Sequence, residues 1–181
     1  MKKELIYNAE IPEGAEANLE GRSLIVKGEK GENKRAFHYP GIEFRVEDKK
    51  VIIHCKKATK KEKSIMGVFR SHVENMLKGV VKGFSYELKI CSGHFPMSVE
   101  LSGQDLVINN FLGEKKPRHA KILDTVVAKI EGDKIVVEGC DKELTGQTSA
   151  NIEKSTKISG RDRRIFQDGI FITNKDGKQV N

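Results

Sequence analysis

Three arginines stand within four positions of the run Ser159-Gly160-Arg161-Asp162-Arg163-Arg164-Ile165-Phe166-Gln167-Asp168-Gly169-Ile170-Phe171-Ile172. A guanidinium is a planar, permanently charged fork whose paired N–H donors match phosphate oxygens. The chemistry on offer is therefore anion binding; the same groups would serve catalysis only with a nucleophile or base nearby. Taken alone, the loop is either a solvated basic surface or a phosphate clamp. With Lys154 and Lys157 just upstream, and Asp162 among the arginines, it forms the most arginine-rich basic segment of the chain.

Two further basic runs accompany it. Lys56-Lys57-Ala58-Thr59-Lys60-Lys61-Glu62-Lys63 carries five positive charges and one negative at the start of a predicted helix. A helix N-terminus favours acids, so either a solvated face or a bound anion would suit that run. Glu114-Lys115-Lys116-Pro117-Arg118-His119-Ala120-Lys121 is predicted to lie in a loop after a strand at 106–109.

Other chemistry finds little support. The P-loop, G-x-G-x-x-G, H-E-x-x-H and G-x-S-x-G patterns are absent. The histidines at 38, 54, 72, 94 and 119 lack metal-ligand spacing, and no acid/base pair of carboxylates stands out. Cys55, Cys91 and Cys140 form no C-x-x-C pair, which predicts free thiols in a reducing compartment. His54 and Cys55 adjoin, but successive strand residues point to opposite faces and cannot readily meet. No enzyme, cofactor or metal site is expected.

The elements that must position the basic clusters come from a repeat. Leu19-x-Gly21-x-Ser23-Leu24-Ile25-Val26 recurs as Leu101-x-Gly103-x-Asp105-Leu106-Val107-Ile108. Val46-Glu47-Asp48-Lys49-Lys50-Val51-Ile52-Ile53 recurs as Ile130-Glu131-Gly132-Asp133-Lys134-Ile135-Val136-Val137, and Ile11-Pro12 as Phe95-Pro96. The chain is thus a tandem duplication of a unit of roughly eighty residues, each copy long enough to fold.

Within a copy, short strands precede one helix. Period-2 alternation at 42–46 marks a half-buried strand, with hairpin turns at Asp48-Lys49 and Gly132-Asp133. Thr59-Lys60-Lys61-Glu62 is a capping box, and Ile65, Phe69, Val73, Met76, Leu77 and Val80 form an apolar stripe behind it. Gly79 and Gly83 are expected to end that helix. The second helix, 141–157, is polar, with Leu144 and Ile152 as its main apolar anchors, and is predicted to bury little.

Composition bounds the partner. Of the 181 residues, 37% are hydrophobic, and the net charge of +7 favours a polyanion, with nucleic acid first. No apolar run approaches the roughly 18 residues of a spanning helix, and no signal-peptide core follows the N-terminus. A soluble protein is expected. Residues 1–84 carry 18 basic and 12 acidic side chains, and residues 85–181 carry 15 and 14. Net charge points to the first half, but phosphate contacts are local and the arginines cluster in the second. With eight Phe, three Tyr and no Trp, no aromatic platform is evident, which predicts recognition of backbone shape rather than unpaired bases.

Four segments running through both copies carry a resemblance. They are Asn75-Met76-Leu77-Lys78-Gly79-Val80-Val81-Lys82-Gly83-Phe84, Gly93-His94-Phe95-Pro96, Asn110-Phe111-Leu112-Gly113-Glu114-Lys115 and Arg164-x-Phe166-x-Asp168-Gly169-Ile170-Phe171-Ile172. The chain resembles the large-subunit ribosomal protein L-six family in its archaeal and eukaryotic branch. The resemblance implies an α+β fold of two similar tandem domains, 1–83 and 84–181, each a mainly antiparallel sheet packed against one helix. It further implies a structural role in the large ribosomal subunit, in the cytoplasm, with rRNA bound near the sarcin–ricin loop and the docking region of translational GTPases. Neighbouring ribosomal proteins and docked GTPases are the other implied partners; no membrane is.

In the family the C-terminal copy makes most RNA contacts. Carried over, this assigns Lys154, Lys157, Arg161, Arg163 and Arg164 to phosphates, with Lys115, Lys116 and Arg118 as a second patch. Phe166, Asp168 and Gly169 would shape the loop rather than touch RNA. Phe171 stands where a Tyr is usual, which removes a hydroxyl. A different class of reading, a protein-interaction adaptor offering sheet edges to partners, remains as the alternative.

Overall fold

In a computed structural model, residues 3–47 and 49–180 are described. Contacts divide the chain at Gly83/Phe84 into two compact units. All strand pairs are antiparallel.

The first unit contains β1 (Lys3–Glu10), β2 (Ala15–Glu20), β3 (Ser23–Gly28), β4 (Gly31–Ala36), β5 (Glu43–Glu47), β6 (Lys50–Ala58) and α1 (Lys60–Lys82). Its strands form two sheets, β1-β6-β5 and β2-β3-β4. The expectation of one sheet per unit is refined accordingly. Asp48, half of the expected turn at 48–49, lies outside the described residues.

The capping box forms as the sequence dictates. The Thr59 hydroxyl accepts from Lys61 N, and the Glu62 carboxylate accepts from Thr59 N at 2.8 Å. These bonds satisfy N–H groups that the first helical turn leaves free. The Thr59 hydroxyl also donates to the Glu62 carboxylate, and this bond, followed by the one from Thr59 N, holds the Glu62 carboxyl below its ordinary range. Val73, Met76, Leu77 and Val80 of the stripe are buried together with Met66, against Leu24 and Val26 of β3 and Val51 and Ile53 of β6.

Gly79 does not end α1. It is buried in the last turn and accepts from the N–H of Gly83, whose φ of 75° ends the helix. That turn passes so close to the β3–β4 hairpin that a Cβ on Gly28 would meet the Val80 carbonyl oxygen at 2.6 Å.

The second unit repeats the plan. It contains β7 (Phe84–Cys91), β8 (Ser98–Ser102), β9 (Asp105–Asn109), β10 (Arg118–Lys121), β11 (Val126–Glu131), β12 (Lys134–Gly139), α2 (Lys142–Ser155), β13 (Gly169–Lys175) and β14 (Lys178–Gln179). Its sheets are β10-β9-β8 and β11-β12-β7-β13-β14. The duplication extends to strand register. Val46 faces Val51 as Ile130 faces Ile135, and Leu19 faces Leu24 as Leu101 faces Leu106. The difference lies at one edge: β1 ends its sheet, whereas β7 is flanked by β12 and β13.

α2 corrects the expectation that a polar helix buries little. Thr145, Thr148, Ser149 and Ile152 are fully buried, and Leu144 only partly. Each buried hydroxyl has a partner. Thr145 Oγ1 donates to Asp141 O at 2.7 Å, Ser149 Oγ to Thr145 O at 2.9 Å, and Thr148 Oγ1 accepts from Leu123 N. Small hydroxyl residues satisfied by backbone groups, whether of their own helix or of a neighbouring segment, pack closely without stranding a polar group. No helix among the described residues is long and apolar enough to cross a membrane.

Candidate nucleic-acid interface

The arginine loop leaves α2 after Ser155 and returns as β13 at Gly169. Both of its ends are tied down. At the first, Thr156 caps α2 with its N–H, and its Oγ1 accepts from Ile170 N at 2.9 Å. At the second, the buried Asp168 carboxylate accepts from Gly93 N at 2.5 Å, His94 N at 2.8 Å and His94 Nδ1 at 2.5 Å. Burial alone would raise the pKa of this carboxyl, but the three bonds outweigh it and hold the group below the ordinary range.

The tip is shaped by its own residues. Asp162 O accepts from Ile165 N and Phe166 N, and Gly160 takes φ of 71°. Phe166 stacks on the His94 ring, centroids 4.8 Å apart, and the Arg161 guanidinium lies 4.9 Å from the Phe166 centroid. Arg164 pairs with Asp162 at 2.7 Å; the ion pair is exposed, and the Arg164 hydrogen bond holds the Asp162 carboxyl below its usual range. Such exposed pairs hold little energy and exchange readily with other anions.

Arg118 sits differently from the other cations. Its Nε and Nη2 donate to the two Glu114 oxygens at 2.8 and 2.5 Å. Its Nη1 donates to Ser155 O and Lys157 O, and its guanidinium lies 4.3 Å from the Phe111 centroid. Every nitrogen is thus engaged by the protein, one bond going to the Ser155 carbonyl left open at the end of α2 and one to the Lys157 carbonyl just beyond it. Arg118 also begins β10 rather than lying in a loop, so the expected loop stops at Pro117.

Arg118 joins the basic segments. The Glu114-Lys115-Lys116 turn is drawn to the end of α2 and to the arginine loop. The Arg118 hydrogen bond chiefly lowers the Glu114 pKa, and Arg161 adds to the effect through its charge. Lys115, Lys116, Lys154, Lys157, Arg161, Arg163 and Arg164 are all exposed. Lys154, Lys157 and Arg163 line one groove of about 820 Å³, with Cys91, Phe166 and Phe171 among its other walls. The Lys56–Lys63 run belongs to the first unit, its lysines exposed and its one acid, Glu62, used in the helix cap.

Sequence reasoning left out two features of this site. His94 was visible only as part of a motif, because its partner Asp168 is 74 positions away. The aromatic pair Phe166 and Phe171 was discounted on overall aromatic content, although both fall in the loop's own segment. Elsewhere the structure bears out the expected geometry of His54 and Cys55. His54 Nε2 meets Glu4 Oε1 at 2.7 Å on one face of β6, while Cys55 is buried in the core on the other. Among the described residues no group of three or more His, Cys, Asp or Glu could hold a metal ion.

Comparison with known proteins agrees with this architecture. The family model of ribosomal protein L6 matches the chain twice, over residues 11–83 and 95–169, one match in each unit. The large ribosomal subunit protein uL6 of Methanococcus vannielii is 46% identical over 169 residues, 93% of each chain. That of Methanosarcina mazei is 47% identical over 175 residues, 97% of this chain and 99% of its own. A duplicated α+β fold, matched copy by copy and over nearly its whole length, assigns the chain to the ribosomal protein L6 family.

Proposed function

We propose that this protein is a structural constituent of the large ribosomal subunit that grips rRNA with the second unit. Its contact face comprises Lys154, Lys157, Arg161, Arg163 and Arg164, with Lys115 and Lys116 beside them and Arg118 holding the two segments together. The RNA is the region around the sarcin–ricin loop, next to the docking region of translational GTPases, and neighbouring ribosomal proteins complete the surroundings. The observation that carries this reading is the Arg118 bridge. It ties the turn that carries Lys115 and Lys116 to Ser155 and Lys157, where the arginine loop begins, while itself turned onto the protein. Exposed, locally clustered Lys and Arg held on a tied-down loop suit phosphates, whereas no arrangement among the described residues supplies a nucleophile and its base.

The test compares an rRNA fragment carrying the sarcin–ricin stem with an unrelated fragment of equal length. Affinity for the first should fall with salt by about 0.7–0.9 log units per phosphate contact for each log unit of salt. Reversing Arg161, Arg163 and Arg164 together to Glu should nearly abolish it. A triple variant that binds as tightly as the native chain would overturn the assignment. Salt-insensitive association with a protein, and none with rRNA, would favour the adaptor reading instead.

A further inference from the structure

The groove between the end of α2 and β13 combines two kinds of wall. Lys154, Lys157 and Arg163 supply positive charge, while Phe166, Phe171 and the half-exposed Cys91 supply apolar surface. A nucleic-acid backbone crossing a basic face needs the cations alone. Two aromatic rings among them ask for a flat apolar ligand that carries negative charge at its side.

The rings are set in advance. Phe166 is stacked on His94, which Asp168 holds by Nδ1. Phe171 is 43% exposed, and its ring covers Gly169 so closely that a Cβ there would come within 3.1 Å of it. A ring already oriented loses little freedom when a ligand stacks on it. The two carboxylates of the groove are committed elsewhere: Glu153 accepts from Ile172 N at 3.2 Å, and Asp168 holds Gly93 and His94. Among the described residues no carboxylate pairs with Lys154, Lys157 or Arg163. The volume of about 820 Å³ lies within the roughly 300–1,000 Å³ usual for ligand pockets.

We propose that this groove receives a single unpaired rRNA nucleotide, splayed from its stack. Its base packs on Phe171, with Phe166 as a neighbouring apolar wall, and its flanking phosphates meet Lys154, Lys157 and Arg163. The inference rests on the rRNA-binding reading above and deepens it: the second unit holds an extruded base as well as backbone. Stacking is tolerant of base identity, because every base has a π-face. The site therefore reads that a nucleotide is unpaired rather than which nucleotide it is.

The experiment uses the full chain and large-subunit rRNA. Phe171→Ala should weaken binding roughly tenfold to a hundredfold, the usual loss when a stacking ring is removed. The salt slope should stay unchanged, because no phosphate contact is lost. Phe171→Tyr, which keeps the ring, should bind like the native chain. Phe171→Leu, which keeps apolar volume without the ring, should bind poorly while folded.

Cys91 gives an independent readout in the native protein. Cys55 and Cys140 are buried, so iodoacetamide reacting with the folded chain reports on Cys91, and bound rRNA should strongly slow that reaction. Reactivity at Cys140 in a variant marks loss of fold. Native-like binding by folded Phe171→Leu or Phe171→Ala overturns the inference, and so does full Cys91 reactivity in the complex. Failure of the native chain to bind rRNA at all would instead sink the functional reading beneath it.

Discussion

The Asp168 carboxylate and the His94 imidazole meet at 2.5 Å, joining the end of the arginine loop to the segment after β7. A carboxylate only accepts hydrogen bonds, so His94 Nδ1 carries the hydrogen in this contact. The same carboxylate also takes the N–H groups of Gly93 and His94. One buried anion therefore fixes the path of the 93–94 turn, the seat of Phe166 and the return of the loop.

The first prediction concerns pH. The folded-state pKa of Asp168 lies below its ordinary value of 3.8, so its stabilising effect is complete above that value. It is lost as pH falls from there through the depressed folded value. Asp168→Asn should lower stability at neutral pH by about 1.5–3 kcal/mol, as for a lost hydrogen bond to a charged group. Thermal unfolding of the two chains across the acid range tests this: the gap should close as pH drops below the window. A gap that persists undiminished there would refute the assignment.

Arg118 yields a second expectation, because its guanidinium faces the protein. Lysine keeps the charge but cannot bridge both Glu114 oxygens and the carbonyls of Ser155 and Lys157. Arg118→Lys should therefore cost about 1.5–3 kcal/mol. For a unit of this size, each kcal/mol lowers Tm by roughly 4–8 °C. Calorimetry of the free protein decides the matter without RNA. An unchanged Tm would mean that the bridge does not hold the segments together.

A third concerns the anion inside the arginine loop. Asp162→Asn keeps an oxygen to accept from Arg164 N, but removes the charge that pairs with the Arg164 guanidinium. Binding to rRNA should tighten a few-fold at low salt, and the gain should shrink as salt screens it. Titrations at two salt concentrations test this, and weaker binding by the variant would contradict it.

Much of the scaffold was legible in the sequence because its signals are local or repeated. The Thr59–Glu62 box and the stripe from Val73 to Val80 lie within one helix, and the copied hairpins announce the duplication. What escaped depends on distance or on hydrogen bonding. Thr145, Thr148 and Ser149 look like surface residues until their hydroxyls find partners, Thr145 and Ser149 one turn back along the chain and Thr148 at Leu123 N. Arg118 looks like one more free cation until the chain brings Ser155 beneath it. The arginines were conspicuous from the start; the tie from Asp168 to His94 was not, because nothing at either position names the other.

The order β11-β12-β7-β13-β14 also sets a timetable. The first unit draws all its strands from the chain ahead of α1, so it can close as soon as that helix has been synthesised. In the second, β7 is made first, yet one of its two neighbours is β13, which follows α2 and the arginine loop. Its edge stays open through most of that unit's synthesis, offering unpaired N–H and C=O groups to any passing strand. The strand that finally seals this edge arrives together with the completed loop, so completion of the arginine loop and protection from misassembly are a single late event.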